Sequence, residues 1–279
     1  MMILIINNDK RMNYLSEYIR DSGMDLIQYH TDSTNFDFRI LKETHYFILP
    51  FGGIAKDGKI ANTQLYLTEE VLRQLPENCV ILTPIRYPKL LELLEIVPRK
   101  YEVIFDHDEV AIYNSIPTAE GVLYHIIKNT DITIHQAEIL VIGSGRIALT
   151  IARDLKALGA YVSVTFRKKK DEARLFEMGL NPIHIDLMVS DLHHYDIIVN
   201  TVPVMMLDER ELNQVRRDCY VLDVSSKPGG VNFKKAEELG IQSELALSLP
   251  SIIAPKTAAY YLFRFVRDYV ASNEKKGGL

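Results

Sequence analysis

Cysteine is nearly absent: Cys79 and Cys219 are the only two in 279 residues. Both sit beside apolar runs, "CVILT" and "CYVLD", without metal-ligand spacing. They read as small core residues and supply no disulfide framework, so a reducing cytosol is the default compartment. Long hydrophobic runs are missing too. No uncharged stretch approaches the roughly 18 residues that a membrane helix needs. The opening "MMILIINNDKR" lacks the basic start and longer apolar region of a signal peptide. Nor is there excess positive charge: 32 Lys and Arg stand against 37 Asp and Glu, a net charge of −5. That balance argues against nucleic acid or a membrane surface as a partner. Histidine is absent beyond position 194. His193 and His194 are expected to point different ways with no further ligands nearby, so no metal site is expected.

What is present is a soluble composition, 47% hydrophobic and 25% charged, in a length that accommodates one large or two ordinary domains. Short β-branched runs alternate with amphipathic segments. "MILIIN" (2–7) precedes a helical pattern over 9–22; "DLIQY", "YFILP", "CVILT" and "YEVIF" follow, with helices near 68–75 and 87–96. The alternation predicts crossover connections and a mostly parallel sheet covered on both faces. It restarts at "AEILVIG" (137–143) and runs through "YVSVTF", "NPIHI", "YDIIVNTV", "CYVLDV" and "GIQSEL". Six strands with intervening helices make a dinucleotide-binding domain. Between the series, 117–131 reads as a helix capped by Ser115 with Pro117 in its first turn. A last helix spans 256–271, and the tail "SNEKKGGL" is expected to fray. The expected fold is therefore α/β: two doubly wound parallel-sheet domains joined by two long connecting helices. Residues 1–116 with 256–279 form a flavodoxin-like, substrate-side domain, and 117–255 a Rossmann domain.

The second series opens on Gly143-Ser144-Gly145-Arg146-Ile147-Ala148. G-x-G-x-x-[GA] is weak alone, but here it follows a buried strand and opens a helix with Ile147, Ile151, Leu155 and Leu158 on one face. Gly143 permits a tight turn, Gly145 lets backbone approach a pyrophosphate, and Ala148 allows close helix–strand packing. The helix N-terminus then receives phosphates, with Arg146 as an added contact. At the next strand end, where an NAD site carries an acid, stands "TFRKKK". Arg167, assisted by Lys168 or a following lysine, is expected to meet a 2′-phosphate, so the cofactor expected is NADP(H).

Three loops should line the cleft: "NTVP", with Thr201, Val202 and Pro203 along the nicotinamide half; "DVSSKPGG"; and "LALSLPSIIAPKTA". Lys227 and Lys256 are cations available for an acidic substrate. "YNSIPTAEG" adds a helix N-terminus and polar groups, Asn114, Ser115 and Thr118, from the other domain's side. D-2-hydroxy-acid dehydrogenases of similar layout carry their catalytic histidine late, and this chain has none there.

"AIYNSIPTAEG", "TDITIH" before the glycine turn, "NTVP", "DVSSKPGG" and "LPSIIAPKTA" stand in the same order as in the A-type subunit of bacterial dipicolinate synthase, which the chain resembles over nearly its whole length. The resemblance is strongest from about Asp108 onward. It implies a sporulating bacterium and the cytoplasm of the mother cell. It implies conversion of 4-hydroxy-tetrahydrodipicolinate to pyridine-2,6-dicarboxylate, by water loss and hydride transfer to NADP. The implied partner is the B-type subunit of dipicolinate synthase, similar to flavoprotein decarboxylases; homo-oligomerisation stays open. A dianionic ring would use Lys227, Lys256 and the residues from Ser115 to Thr118, and Glu120, Lys256 and Tyr113 are candidate proton shuttles. Two alternatives stand beside this reading: an NADP-binding scaffold or sensor without chemistry, and another NADP oxidoreductase on a related plan.

Overall fold

The structure, a computed structural model, describes residues 1–30 and 37–277. The chain divides into two compact units, Met1–Tyr113 with Ala254–Leu279, and Asn114–Ile253. The boundaries expected from sequence lie at 116/117 and 255/256.

In unit 1 the chain runs β1 (Met2–Asn7), α1 (Lys10–Asp21), β2 (Asp25–His30), β3 (Tyr46–Ile48), α2 (Glu69–Gln74), β4 (Val80–Thr83), α3 (Pro88–Ile96) and β5 (Lys100–Val103). All pairings are parallel, in the order β2-β1-β3-β4-β5, the flavodoxin-like winding. Side chains on a strand alternate faces, and β1 uses both. Ile3 and Ile5 join a core with Met12, Leu15 and Ile19 of α1. Leu4 and Ile6 join another with Leu72, Leu90 and Leu93 of α2 and α3. Two-sided burial is why "ILII" reads as a continuous apolar run.

The chain continues through α4 (Asp108–Asn129), which contains the first division between units. In unit 2 follow β6 (Glu138–Ile142), α5 (Arg146–Ala157), β7 (Tyr161–Phe166), α6 (Lys169–Glu177), β8 (Asn181–His184), α7 (Met188–Asp191), β9 (Ile197–Asn200), α8 (Glu209–Leu212), β10 (Tyr220–Asp223), α9 (Phe233–Glu238), β11 (Gln242–Leu245) and α10 (Leu249–Ile253). The order β11-β10-β9-β6-β7-β8, all parallel, is the Rossmann order. Ile139 and Val141 pack with Ile151 and Leu155 of α5, while Leu140 and Ile142 pack with Met188, Leu192 and Leu212. The last helix, α11 (Pro255–Gly277), belongs to unit 1 and packs its Leu262, Val266 and Val270 in the core shared with α1.

Several expectations need correction. Ser115 does not cap a helix: α4 begins at Asp108, Ser115 is fully buried within it, and Pro117 lies in its interior. Helical residues from Asp108 supply the turns before Pro117, so its ring costs one backbone hydrogen bond and does not start the helix. Leu158 is not on the buried face of α5; it follows the helix end and is 46% exposed, and Ala148 and Ala152 pack there instead. "YEVIF" leaves the sheet after Val103 into a 3₁₀ turn, Ile104–Asp106. The tail is helical to Gly277, and Gly278 and Leu279 lie outside the described residues. The rings of His193 and His194 do not diverge; their centroids are 3.9 Å apart.

Candidate functional site

The glycine turn joins β6 to α5. Gly143 has φ +110, and a Cβ there would lie 2.5 Å from Thr201 Oγ1, so both conformation and space require glycine. Its N–H donates to Thr165 Oγ1 at 2.8 Å, and Thr201 Oγ1 donates to the Ile142 carbonyl at 2.8 Å. Thus β6, β7 and β9 are tied together at one end of the sheet. Gly145 differs. It is the N-cap of α5 in extended conformation, with no side-chain cap, and a Cβ there would meet nothing within 4 Å. The fold itself has room for a larger residue; the 12-residue helix simply presents its N-terminus bare. Ala148 is fully buried, Ile147 and Ser144 are half-buried, and Arg146 is exposed.

At the end of β7, Phe166 is buried while Arg167 and Lys168 are exposed, Lys168 being the N-cap of α6. Lys169 pairs with Glu172 at 2.7 Å on the exposed surface of α6. Asp171 and Glu172 occupy the first turn, where they offset the basic run against the helix dipole. The strand end itself carries no carboxylate.

Two residues not singled out from the sequence organise the loops after β9 and β10. Asn200 and Asp223 are fully buried and face each other across the two strands. Asp223 accepts from Asn200 Nδ2 at 3.0 Å, from the Ser225 N–H at 2.9 Å and from the Gly230 N–H at 2.6 Å. Asn200 also bonds both backbone groups of Val202. A Cβ on Gly230 would lie 2.4 Å from Asn200 Nδ2. The available signal is a polar residue ending an apolar strand, in "IIVN" and "YVLD". Thr201 and Val202 are half-buried beside this pair, and Pro203 and Lys227 are exposed.

Elsewhere in unit 2, Ser115 Oγ is 2.7 Å from Thr150 Oγ1, and Thr118 Oγ1 donates to the Asn114 carbonyl. The expected anion site at a helix N-terminus near Ser115 is therefore absent, since no helix starts there. Glu120 is exposed. Glu244 accepts from Asn129 Nδ2 at 2.9 Å, lies 2.6 Å from His125 Nδ1 and accepts from Tyr220 Oη. Burial, and then the Glu244 carboxylate, push the Tyr220 phenol well above its usual range. In unit 1, Tyr113 stacks on Tyr261 at 4.8 Å beneath Arg264, and Lys256 is exposed in the first turn of α11. Among the described residues no three His, Cys, Asp or Glu could hold a metal ion.

A Rossmann sheet with a bare glycine-turn helix, in a chain that also carries a flavodoxin-like unit, defines a protein of the dehydrogenase fold. The chain matches no family model. It is 37% identical over 248 residues to the A-type subunit of dipicolinate synthase from Bacillus subtilis (strain 168), covering 88% of this chain and 84% of that one. The crystal structure of the same subunit from Bacillus halodurans superposes with TM-score 0.89 at 32% identity, over 97% of each chain. An NAD-complexed D-isomer specific 2-hydroxyacid dehydrogenase from Lactobacillus delbrueckii ssp. bulgaricus gives TM-score 0.64 at 13% identity over 100% of this chain and 98% of its own, a likeness of fold alone. The chain belongs to the family of dipicolinate synthase A-type subunits.

Proposed function

We propose that this protein is the NADP-dependent dehydrogenase subunit of a dipicolinate synthase, taking 4-hydroxy-tetrahydrodipicolinate to pyridine-2,6-dicarboxylate. The observation that carries the cofactor reading is the bare N-terminus of α5. Its capping position has no side-chain acceptor and open space beyond Gly145, the arrangement that receives a pyrophosphate. Arg167 stands at the end of β7 in place of an acid, which favours a 2′-phosphate over free ribose hydroxyls. When bound, the dinucleotide supplies a hydride acceptor.

The chemistry asked of the protein is modest. Loss of water from the hydroxylated ring gives a dihydropyridine, and removal of one hydride and one proton gives the aromatic diacid. The chain's own residues would bind two carboxylates, for which Lys227 and Lys256 are the cations proposed, with Asn114 as a polar contact; Ser115 and Thr118 are buried, with their hydroxyls engaged by Thr150 and by the Asn114 carbonyl. A proton must also leave the ring, and Glu120, Lys256 and Tyr113 remain the candidates. Of these, Tyr113 is held between Tyr261 and Arg264, which supports a packing role for it. The protein would work with a second, flavoprotein-like partner, the B-type subunit. No helix among the described residues is long and apolar enough to cross a membrane, and we place the protein in the mother-cell cytoplasm of a sporulating bacterium.

The test is absorbance at 340 nm after freshly made hydroxy-tetrahydrodipicolinate and NADP are added to the purified chain, with and without the flavoprotein-like partner. Growth of the NADPH band is expected. No NADPH in either mixture would refute the dehydrogenase reading and leave an NADP-binding scaffold as the better description. A fluorescence titration giving equal affinity for NADPH and NADH would refute the cofactor preference.

A further inference from the structure

The row Ile142, Asn200, Asp223 runs straight across β6, β9 and β10 at their C-terminal ends. Adjacent strands are about 4.8 Å apart, so Asp223 stands about 10 Å from the strand that feeds the glycine turn. In this fold a dinucleotide anchored by its phosphates at that turn extends its nicotinamide over these strand ends. The loop after β10 begins beside that row. Ser225 is only 4% exposed, yet its Oγ has no hydrogen-bond partner among the described residues. Buried hydroxyls ordinarily find one, in protein, ordered water or a bound ligand. Its backbone is not loose, because its N–H is held by Asp223, whose other oxygen holds the Gly230 N–H at the far end of the same loop.

We propose that Ser225 is a cofactor-binding residue that hydrogen-bonds the nicotinamide carboxamide, and that Asp223 and Asn200 are the positioning residues that hold it there. This inference rests on the reading of unit 2 as a dinucleotide site. The chemistry is matched: a carboxamide has one acceptor and two donor hydrogens, and a hydroxyl both donates and accepts. Asp223 is required as a carboxylate. It accepts from three donors, and an amide in its place would turn an NH₂ group toward at least one of them. Asn200 couples the two loops, since it bonds Asp223 on one side and the backbone of Val202 on the other. Gly230 completes the lock: its N–H bonds Asp223, its carbonyl accepts from the Met206 and Leu207 N–H groups, and it has no room for a Cβ.

The test uses two probes on the full chain: NADPH, and adenosine 2′,5′-bisphosphate, which keeps the phosphorylated adenosine end and lacks nicotinamide. Ser225→Ala should weaken NADPH about tenfold, the scale of one lost hydrogen bond, and leave the bisphosphate within about twofold. Asp223→Asn should weaken NADPH at least as much, with the bisphosphate again unchanged. Unchanged NADPH affinity in Ser225→Ala would overturn the proposal. So would an equal loss for both probes, which would mean general loosening of the unit. A wild-type chain that binds neither probe would overturn the underlying dinucleotide reading, and this proposal with it.

Discussion

The two units start the same way and then part. Each has a central strand buried on both faces, β1 or β6, leading through a tight turn into a 12-residue helix, α1 or α5. In unit 1 the helix N-terminus is already filled. Asp9 caps it by accepting from the Met12 N–H at 3.0 Å, and its other oxygen pairs with buried Arg11 at 2.8 Å. In unit 2 the cap is Gly145, which has no side chain to offer. A carboxylate and a phosphate compete for the same N–H groups and dipole. One N-cap residue therefore separates a helix that is self-sufficient from one that is open to an anion.

Breaking the unit 1 arrangement should have the largest effect on stability. Asp9→Ala removes a cap and strands Arg11, whose side chain is 6% exposed. A loss of about 3 kcal/mol is expected from these two causes together, read as a lower urea midpoint with unchanged slope, without change in NADPH affinity. Gly145→Asp carries the unit 1 solution into unit 2. Because a Cβ at 145 meets open space, the fold should hold or gain a few tenths of a kcal/mol. NADPH binding should nevertheless weaken about 100-fold or more, since the new carboxylate occupies the phosphate position. A variant that melts normally and still binds NADPH tightly would contradict the comparison.

Arg167→Ala addresses the basic run next. The preference for NADPH over NADH should fall about tenfold or more, the worth of one charge-assisted hydrogen bond. Lys169→Ala, whose ammonium is already paired with Glu172, should change NADPH affinity less than about twofold. The smallest signal expected is at the thiols, one in each unit. Burial pushes both Cys79 and Cys219 up from 9.0 to about 12. They stay protonated in the fold and ionise in the unfolded chain, so they add stability below about pH 9 that is lost as the pH rises toward about 12. Native protein should show no thiol fast enough to react with a disulfide reagent at pH 8, and both should react in denaturant. A rapidly labelled thiol in the native state would show that one core is open.

Most of the architecture is legible in the sequence because its signals are local. Runs such as "ILII" and "EILVI" are continuous because both sheet faces are covered, and the glycine turn announces itself through its flanking strand and helix. The start of α4 misleads for an equally local reason: Pro117 is the strongest punctuation in "YNSIPTAEG", and proline in a first turn is the common case. Nothing adjacent to it reveals that helical turns from Asp108 precede it. Asn200 and Asp223 escape a reading along the chain because their meaning is a pairing across neighbouring strands, 23 positions apart in sequence.

The amino-acid order alone determined the parallel α/β class, the six-strand second series, the glycine turn and the family, all of which depend on residue type and spacing along a few tens of positions. Only the tertiary structure decided that Asp9 fills the N-terminus of α1, that Lys169 pairs with Glu172, and that Asp223 holds two loops with a buried Ser225 hydroxyl, unpartnered among the described residues, between its contacts. The reason is physical. Spacing fixes which way a side chain faces, but whether a polar group keeps a hydrogen bond to give depends on what the folded chain has already brought against it.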